Sequence, residues 1–475
     1  MTRGFVAVAG LMAASVLISA APAQPDSDVY ALQDPQTPPR QNPTELSVLL
    51  NNPGSHPKIG FQPFAAGAPA LADAATTIAE VLAADLEYER EFYIIARKAS
   101  AGIPVASTPQ TLPFAQWTDI GADLVMMGSL RDAGGGKVEV QVKLVSVKSA
   151  GGGVREFSYG GCTAASIRYC AHSIADDMHK QLRNLEGVAR TKLAYTSDRD
   201  GETSVGRPID NAASGKEIHL MDYDGAGDQR YTRLRRLSIA PTWGPDARSL
   251  VFASYAPMPD IFLATLDGRP LTRPAQGTDF ISNTTPVLSP DGTKIAFTST
   301  RGGSSGYYDV WVVNRDGSNL HNVTPGTDRS SEGAPTWSPD GTRLALTSDR
   351  TGTNQVFIMN ADGTGLERRT FAGKADRPTW SKLGYIAYTL ERAGGHDIAV
   401  LDLARGEPRV LTDGVGSCRQ PTAAPNGRHI VFVTTRWGGK EHLASIDYPD
   451  GKFIRQLTTQ GNNTYPNWSP SPGGK

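Results

Sequence analysis

Short alternations of apolar and polar residues recur along the chain from about residue 190 onward. In a typical stretch, residues 334–350, an extended segment ends at Trp337, Asp340-Gly341 supplies a turn, and a period-two strand begins near Leu344. Asp-Gly pairs favour tight turns, and alternation of this kind is typical of half-buried strands. The stretch predicts two antiparallel β-strands joined by a turn, a unit too small to fold by itself.

This unit occurs six times, at intervals of 43–49 residues. The residues at the tryptophan position are Trp243, Leu288, Trp337, Trp380, Ala423 and Trp468. Each repeat supplies four strand-like pieces, and a period near 45 residues with four strands is typical of a propeller blade. The sequence therefore predicts an all-β, six-bladed propeller of WD40-like (PD40) repeats over residues 191–471.

The two ends of this repeat array complement each other. Residues 192–197 resemble the second strand of a blade with no tryptophan strand before it. The segment around Trp468 resembles a tryptophan strand with nothing after it. Pairing the two would complete the first blade and leave no free inner edge. We therefore expect the C-terminal strand to close the ring.

Residues 44–186 alternate between helical and strand patterns. Apolar residues recur at helical spacing over residues 71–86 and again over 164–183, whereas residues 138–147 alternate with a period of two. Shorter strands are predicted over residues 58–64, 92–95 and 124–130, and a short helix over 114–120. We expect a small mixed α/β domain here, ahead of the propeller.

The N-terminus has the pattern of a targeting segment. Arg3 is followed by an apolar run over residues 5–19 and by Ala21-Pro22-Ala23, a small-residue cleavage site. Residues 1–23 are therefore predicted to be a cleavable signal peptide. Residues 24–43 are rich in proline and show no apolar periodicity, so we expect a mobile arm in an exported, soluble protein.

The net charge argues against nucleic acid as a partner, and the cysteines allow one local disulfide. Lys and Arg total 47 against 48 Asp and Glu, a net charge of −1, so no positive field is available for nucleic acid. The chain has three cysteines, Cys162, Cys170 and Cys418. Cys162 and Cys170 could form a disulfide, or Cys170 could be a small apolar residue on a helix face.

Catalytic and metal-binding patterns are weak. Residues 302–306 match G-x-S-x-G, but they lie between two predicted strands and not between a strand and a helix. His172 and His179 could share a helix face, but no third ligand accompanies them in sequence. We expect a monomer that is not an enzyme and uses no cofactor or metal. An exported propeller enzyme, peptidase-like or with a hydrolytic channel, and a peptidoglycan- or sugar-binding module are the alternatives.

Several stretches resemble the TolB family of the Tol-Pal system of Gram-negative bacteria. They are residues 59–64, 83–86, 120–123, 171–176 and 222–225, together with the W-S-P-D-G repeats and the terminal Trp468-Ser469-Pro470. The resemblance covers nearly all of the chain after the predicted signal peptide. It implies a small α/β domain followed by a six-bladed propeller.

The resemblance also implies a function and partners. Members of this family are periplasmic and non-enzymatic, support outer-membrane integrity and cell division, and bind the lipoprotein Pal and the inner-membrane protein TolA. By position, the Pal-binding residues would be Ser282, Asn283, Thr284, Thr285, Ser331, Glu332 and Gly333. The TolA-binding residues would be Thr44, Glu45, Leu46, Ser47 and Val48. We expect changes at Asn283 and Glu332 to weaken Pal binding and leave thermal stability unchanged.

Overall fold

The computed structural model describes most of the chain after residue 55. The described residues are 56–149, 153–200, 215–234, 236–255, 258–277, 280–302, 306–326, 329–414 and 416–472. The predicted signal peptide (1–23), the predicted arm (24–43) and the predicted TolA-binding segment (44–48) lie outside them. Within the described residues, no helix combines the length and apolarity needed to cross a membrane.

The first domain is a mixed sheet with helices on both faces. Its strands are β1 (Lys58–Phe61), β2 (Ala65–Ala66), β3 (Tyr93–Ile94), β4 (Leu124–Gly134), β5 (Lys137–Ser146) and β6 (Val154–Thr163), in the order β3-β1-β4-β5-β6 with β2 also paired to β4. Its helices are α1 (Ala72–Tyr88), α2 (Arg97–Ser100), α3 (Phe114–Asp119) and α4 (Ile167–Arg183). Single 3-10 turns occupy Pro69–Leu71, Pro109–Thr111 and Ala164–Ser166.

Helices α1 and α4 pack against each other and cover one face of this sheet. In α1, Ile78, Leu82 and Leu86 recur every four residues and are fully buried, which places them on one helix face. Alternate residues of β4 point to opposite faces, so Met126 joins this core while Val125 packs with Trp117 of α3 on the other side.

A disulfide joins β6 to α4. It links Cys162 to Cys170, so the first of the two alternatives is the one observed. Strand β6 itself is not predicted from the sequence. Only Phe157 and Cys162 are buried along this edge strand, and without a buried alternate row the period-two signal is weak.

The propeller consists of six sheets, each numbered here as a blade in chain order. Blade 1 contains β7 (Lys192–Ser197), β8 (Glu217–Asp222), β9 (Gln229–Arg230) and β29 (Asn463–Trp468). Blade 2 contains β10 (Ser238–Trp243), β11 (Ser249–Tyr255) and β12 (Pro259–Thr265). Blade 3 contains β13 (Asn283–Leu288), β14 (Lys294–Ser299), β15 (Asp309–Asn314) and β16 (His321–Asn322).

The remaining three blades repeat the four-stranded order. Blade 4 contains β17 (Glu332–Trp337), β18 (Arg343–Ser348), β19 (Gln355–Asn360) and β20 (Glu367–Arg368). Blade 5 contains β21 (Lys374–Trp380), β22 (Tyr385–Arg392), β23 (Gly395–Asp402) and β24 (Pro408–Val410). Blade 6 contains β25 (Cys418–Ala423), β26 (His429–Thr434), β27 (His442–Asp447) and β28 (Arg455–Gln456).

The C-terminal strand closes the ring. Strand β29 pairs antiparallel with β7, with Trp468 opposite Leu193 and Asn467 opposite Ala194. Blade 1 therefore takes its innermost strand from the end of the chain and the others from the start of the repeats. The predicted fold class, an α/β domain followed by a six-bladed propeller closed by its last strand, is confirmed.

The residue at the tryptophan position ends the innermost strand of every blade. Trp337 packs in a core that includes Val310 and Val312 of blade 3 and Leu344 of its own blade. Its indole N–H donates to the Val287 carbonyl oxygen at 3.3 Å, again in blade 3. The ring therefore fills the wedge between neighbouring twisted sheets, where a large side chain is needed.

A second sixfold feature lines the central channel. In every innermost strand one residue has a left-handed backbone, with φ between 44° and 55°, and is followed by proline. These residues are Ala240, Thr285, Ala334, Arg377, Gln420 and Tyr465. A register shift occurs at the same point in each strand pair. Because proline has no N–H, the proline position of each bulge has no donor that needs a partner, and a bulge of this kind bends its strand.

Candidate partner-binding face

The propeller has two faces, which we name by strand direction. The upper face is the side on which the innermost strand of each blade begins, and the lower face is the side on which it ends. Both loops proposed from the resemblance, residues 282–285 and 331–333, lie where β13 and β17 begin. They are therefore neighbours on the upper face, in blades 3 and 4.

Asn283 is an internal residue of blade 3. Its side chain is 0% exposed. Its Nδ2 donates to Asp260 at 2.9 Å, and its Oδ1 accepts from Ser299 at 2.6 Å. Asp260 in turn is held by Arg273 at 2.5 Å, so the network joins blade 2 to blade 3.

Glu332 has the equivalent internal place in blade 4. It is 1% exposed, and its Oε1 accepts from Ser330 at 2.8 Å, from Ser348 at 2.6 Å and from Arg350 at 3.1 Å. Neither Asn283 nor Glu332 presents its side chain to solvent. The expectation that changes there leave stability untouched is therefore not supported by this geometry, because each change would disrupt buried hydrogen bonds. A role of these loops in partner binding stays a prediction.

The other residues of the two loops are small or half-buried. Ser282 is buried, whereas Thr284, Thr285, Ser331 and Gly333 are half-buried. A Cβ at Gly333 would lie 3.1 Å from Oγ1 and 3.2 Å from Cγ2 of Thr298, which leaves little room for a side chain. These positions shape the wall of the channel mouth and offer little contact area of their own.

Larger exposed side chains lie on the same face in loops that the sequence analysis does not single out. Phe280 is 91% exposed and Phe371 is 74% exposed, in the connections from blade 2 to blade 3 and from blade 4 to blade 5. Met258 and Tyr308, in upper-face loops inside blades 2 and 3, are also exposed. The sequence feature that could have indicated Phe280 and Phe371 is a phenylalanine in a largely polar, glycine-containing segment between two predicted strands.

A polar cavity of about 110 Å³ opens beside the channel between blades 5 and 6. Charged groups of both signs line it, among them Lys374, Asp376, Arg377, Glu391 and Arg419. The guanidinium of Arg377 also lies 4.7 Å from the ring centre of Tyr465 across the channel. Mixed charge near exposed aromatic side chains is typical of a protein interface, where charge sets specificity and aromatic groups supply contact area.

The G-x-S-x-G match has the context expected from the sequence. It lies between β14 and β15, two strands of blade 3, and its residues 303–305 are outside the described part of the chain. No helix follows it, because β15 begins at Asp309. The strand–turn–helix geometry of a nucleophile elbow is therefore not present there.

The α/β domain occupies the lower face. Asn426 donates to Glu89 at 2.9 Å, and Arg428 donates to Glu91 at 2.6 Å, both from the turn after the innermost strand of blade 6. Burial raises the pKa of Glu89, but the hydrogen bond with His429 and nearby positive charge outweigh burial, so this pKa lies below its ordinary value. The carboxylate is thus stabilised as an anion inside the junction.

The same junction continues to blade 1 and blade 5. The Tyr223 hydroxyl donates to Asp85 of α1 at 2.6 Å, and Arg168 of α4 pairs with Asp224 at 2.6 Å. Lys382, in the turn of blade 5, pairs with Glu186. With the lower face covered in this way, the upper face is the one that the α/β domain leaves open.

These features define a class of protein: a closed six-bladed propeller with an α/β domain on one face and exposed aromatic residues on the other. A family model described as the TolB beta propeller domain matches residues 180–472, and the TolB amino-terminal domain matches residues 51–151. The chain belongs to the TolB family.

Curated relatives are similar over part of their length. The Tol-Pal system protein TolB of Bordetella avium is 31% identical over 195 residues, which is 40% of this chain and 40% of the relative. That of Dinoroseobacter shibae is 30% identical over 219 residues, which is 45% of this chain and 46% of the relative. The chain therefore spans less than half the length of these curated relatives in the regions that match.

A solved structure extends the likeness in fold. The crystal structure of TolB from Acinetobacter baumannii matches 88% of this chain and 98% of its own, with a TM-score of 0.70 and 22% sequence identity. The two chains share both domains at this coverage. The similarity concerns the fold, since identity at this level says little about individual contact residues.

Proposed function

We propose that this protein is a periplasmic, non-enzymatic scaffold of the Tol-Pal system. It binds a Pal-like outer-membrane lipoprotein through the upper face of the propeller and a TolA-like inner-membrane protein through residues 44–48. In this way it links the two membranes, supports outer-membrane integrity and acts in cell division. Membership of the TolB family and the names of the relatives support this role.

The observation that carries the proposal is the exposure of Phe280 and Phe371 on the upper face. Exposure of a phenylalanine ring to water is unfavourable, so covering the ring with a partner lowers the free energy and favours binding. Both rings lie in the loops that lead into innermost strands, β13 and β21, on the side away from the α/β domain. The half-buried threonines and serines of the two loops supply a polar setting for them.

The test measures binding of the soluble domain of the organism's own Pal-type lipoprotein to the full mature chain by calorimetry. Replacing both rings (Phe280→Ser with Phe371→Ser) is expected to raise Kd at least about 30-fold, because losing buried aromatic anchors costs roughly 2 kcal/mol or more. Circular dichroism should remain native, since both side chains are already exposed.

Two matched controls locate the effect. Tyr93→Ser removes an exposed aromatic residue from the α/β domain and should leave Kd unchanged. Deleting residues 44–48 should abolish binding of a TolA-type domain and leave Pal binding intact. If the double phenylalanine variant binds Pal as tightly as the wild type, the upper face is not the Pal site. If the wild type binds neither partner, the proposed function itself is wrong.

A further inference from the structure

A histidine and two aspartates meet where the α/β domain contacts blade 1. His172 lies in α4, Asp222 ends β8, and Asp224 lies in the turn that follows. One ring nitrogen of His172 and one carboxylate oxygen from each aspartate lie within 4.8 Å of one another. The cluster lies on the lower face of the propeller, opposite the proposed partner-binding face. The observations that define it do not depend on the proposed function.

His172 is held in one orientation. The ring is 2% exposed, and its Nδ1 lies 2.8 Å from Asp85, which also accepts a hydrogen bond from the Tyr223 hydroxyl. An ionised carboxylate can only accept, so Nδ1 carries a hydrogen and Nε2 of the neutral ring has a lone pair. Across the part of the chain that the structure describes, Nε2 is buried without a hydrogen-bond partner.

The two aspartates retain capacity for a further ligand. Asp222 pairs with Lys192 at 2.6 Å, and Asp224 pairs with Arg168 at 2.6 Å and accepts from the backbone N–H of Ala226 at 3.0 Å. A carboxylate has about four lone-pair positions, so these contacts do not exhaust either group. Three carboxylates, including Asp85, face two basic side chains at this junction, which leaves negative charge to attract a cation.

Asp222 differs from its counterparts in blades 3 and 4, which are Asn314 and Asn360, whereas blades 5 and 6 also have an aspartate there, Asp402 and Asp447. The same turn contains Asn314 and Asp316 in blade 3, with the backbone N–H of Asn314 donating to residue 318 as that of Asp222 donates to residue 226. In blade 3 the Asn314 amide is used inside the turn, where it donates to Ser318 at 2.9 Å. In blade 1 an acid replaces the amide, and Ala226 replaces the serine.

We propose that His172, Asp222 and Asp224 bind a divalent transition-metal ion, with Zn²⁺ as the preferred cation. One imidazole nitrogen and two carboxylate oxygens, completed by water, form a ligand set that Zn²⁺ accepts. Asp85 is the carboxylate that orients the histidine from behind, an arrangement that recurs at histidine–metal sites. The second and third ligands, Asp222 and Asp224, lie about fifty residues after His172, which is why the spacing of His172 and His179 alone does not reveal them.

Because the ligands come from both domains, the ion holds α4 of the α/β domain against blade 1. Binding would therefore stabilise the junction as well as the site. Any ligand that binds the folded chain and not the unfolded chain raises the thermal midpoint. This provides a readout that does not depend on knowing the partners.

The test uses the full mature chain, freed of metal with a chelator and titrated with ZnCl₂. The wild type is expected to bind one equivalent and to melt at a higher temperature with zinc. Asp222→Asn restores the residue found in blade 3 and should lower zinc affinity at least about tenfold, and Asp224→Asn should do the same. Asp316→Asn changes the matching turn of blade 3 and should bind zinc as the wild type does.

Several outcomes would overturn the proposal. The proposal is wrong if the wild type binds no zinc. It is also wrong if the Asp222→Asn and Asp224→Asn variants bind zinc with unchanged affinity. Circular dichroism of each metal-free variant shows whether it is folded. Should both variants unfold, cobalt(II) loading of the wild type decides the question, since four-coordinate cobalt(II) bound by imidazole and carboxylate absorbs visible light much more strongly, and at longer wavelength, than the six-coordinate aqua ion. Absence of that change would rule the site out.

Discussion

At the scale of single residues, polar side chains at the beginning of the innermost strands hydrogen-bond to the neighbouring strand of the same blade. Glu332 illustrates this, because one buried oxygen accepts hydrogen bonds from Ser330, Ser348 and Arg350. A buried carboxylate of this kind is stable only while its partners are present. Its contribution to folding therefore has to be separated from any contribution to binding.

We predict that Glu332→Ala lowers the free energy of unfolding by about 3 kcal/mol, because it leaves two buried serines and the Arg350 guanidinium without their acceptor. Urea unfolding of the full mature chain measures the change. Glu367→Ala is the control, since this exposed carboxylate pairs with Arg369 at the surface and should contribute at most about 0.5 kcal/mol. Equal effects of the two substitutions would contradict an internal role for Glu332.

At the scale of one element, the S-P-D-G turn between β17 and β18 is stabilised by its aspartate. Asp340 accepts from the hydroxyl of Ser338 at 2.5 Å, and from the backbone N–H and hydroxyl of Thr342 at 3.0 and 2.8 Å. These hydrogen bonds, above all the one from Ser338, lower the pKa of Asp340 to about 2. The same turn occurs in blade 3, where Asp291 accepts from Ser289 at 2.5 Å and its pKa is also lowered.

The lowered pKa of Asp340 predicts a pH dependence with a definite sign. The folded carboxyl holds its proton less tightly than the unfolded one, so its stabilising effect is complete above about pH 4 and is lost as pH falls towards 2. We expect Asp340→Asn to be less stable than the wild type at pH 7, with a difference that shrinks between pH 4 and 2.

Urea unfolding at several pH values between about 2 and 7 measures this difference. Ser338→Ala removes the hydrogen bond that lowers the pKa of Asp340 most. This variant should therefore lose less stability than the wild type as pH falls from 4 to 2. A difference between wild type and Asp340→Asn that stays constant down to pH 2 would show that the turn does not favour the ionised carboxylate.

At the scale of the whole molecule, the ring closes under the α/β domain. Trp468 of β29 belongs to one core with Leu193 of blade 1, Val431 of blade 6 and Ile174 of α4. Its indole N–H donates to the Thr191 hydroxyl at 2.7 Å. The seam between the last and first blades is thus covered by the first domain, so closure and domain packing depend on the same residues.

We predict that Trp468→Ala lowers the free energy of unfolding by about 4 kcal/mol, from the loss of a buried ring and the cavity that remains. Trp380→Ala is the matched control at the same repeat position. Trp380 is half-buried beneath the Arg343 guanidinium, so its removal should cost clearly less. Denaturant unfolding followed by circular dichroism compares the two, and an equal or smaller cost at Trp468 would argue against its role in closure.

The sequence by itself determined the architecture. The number of blades, the α/β domain and the closing strand are all visible in it, because turn pairs, strand alternation and helical spacing are local signals that repeat. The proline that follows each left-handed residue is also in the sequence, although only the structure shows why it recurs. Strand β6 was not predicted, because a strand with few buried residues shows no clear alternation of apolar and polar residues.

Only the tertiary structure decided which side chains are available for function. Asn283 and Phe280 lie three residues apart in one loop, yet one is fully buried and the other is almost fully exposed. The same holds for His172, whose meeting with Asp222 and Asp224 depends on how α4 packs on blade 1. Burial and long-range proximity arise from packing between elements distant in sequence, and a local pattern contains no information about them.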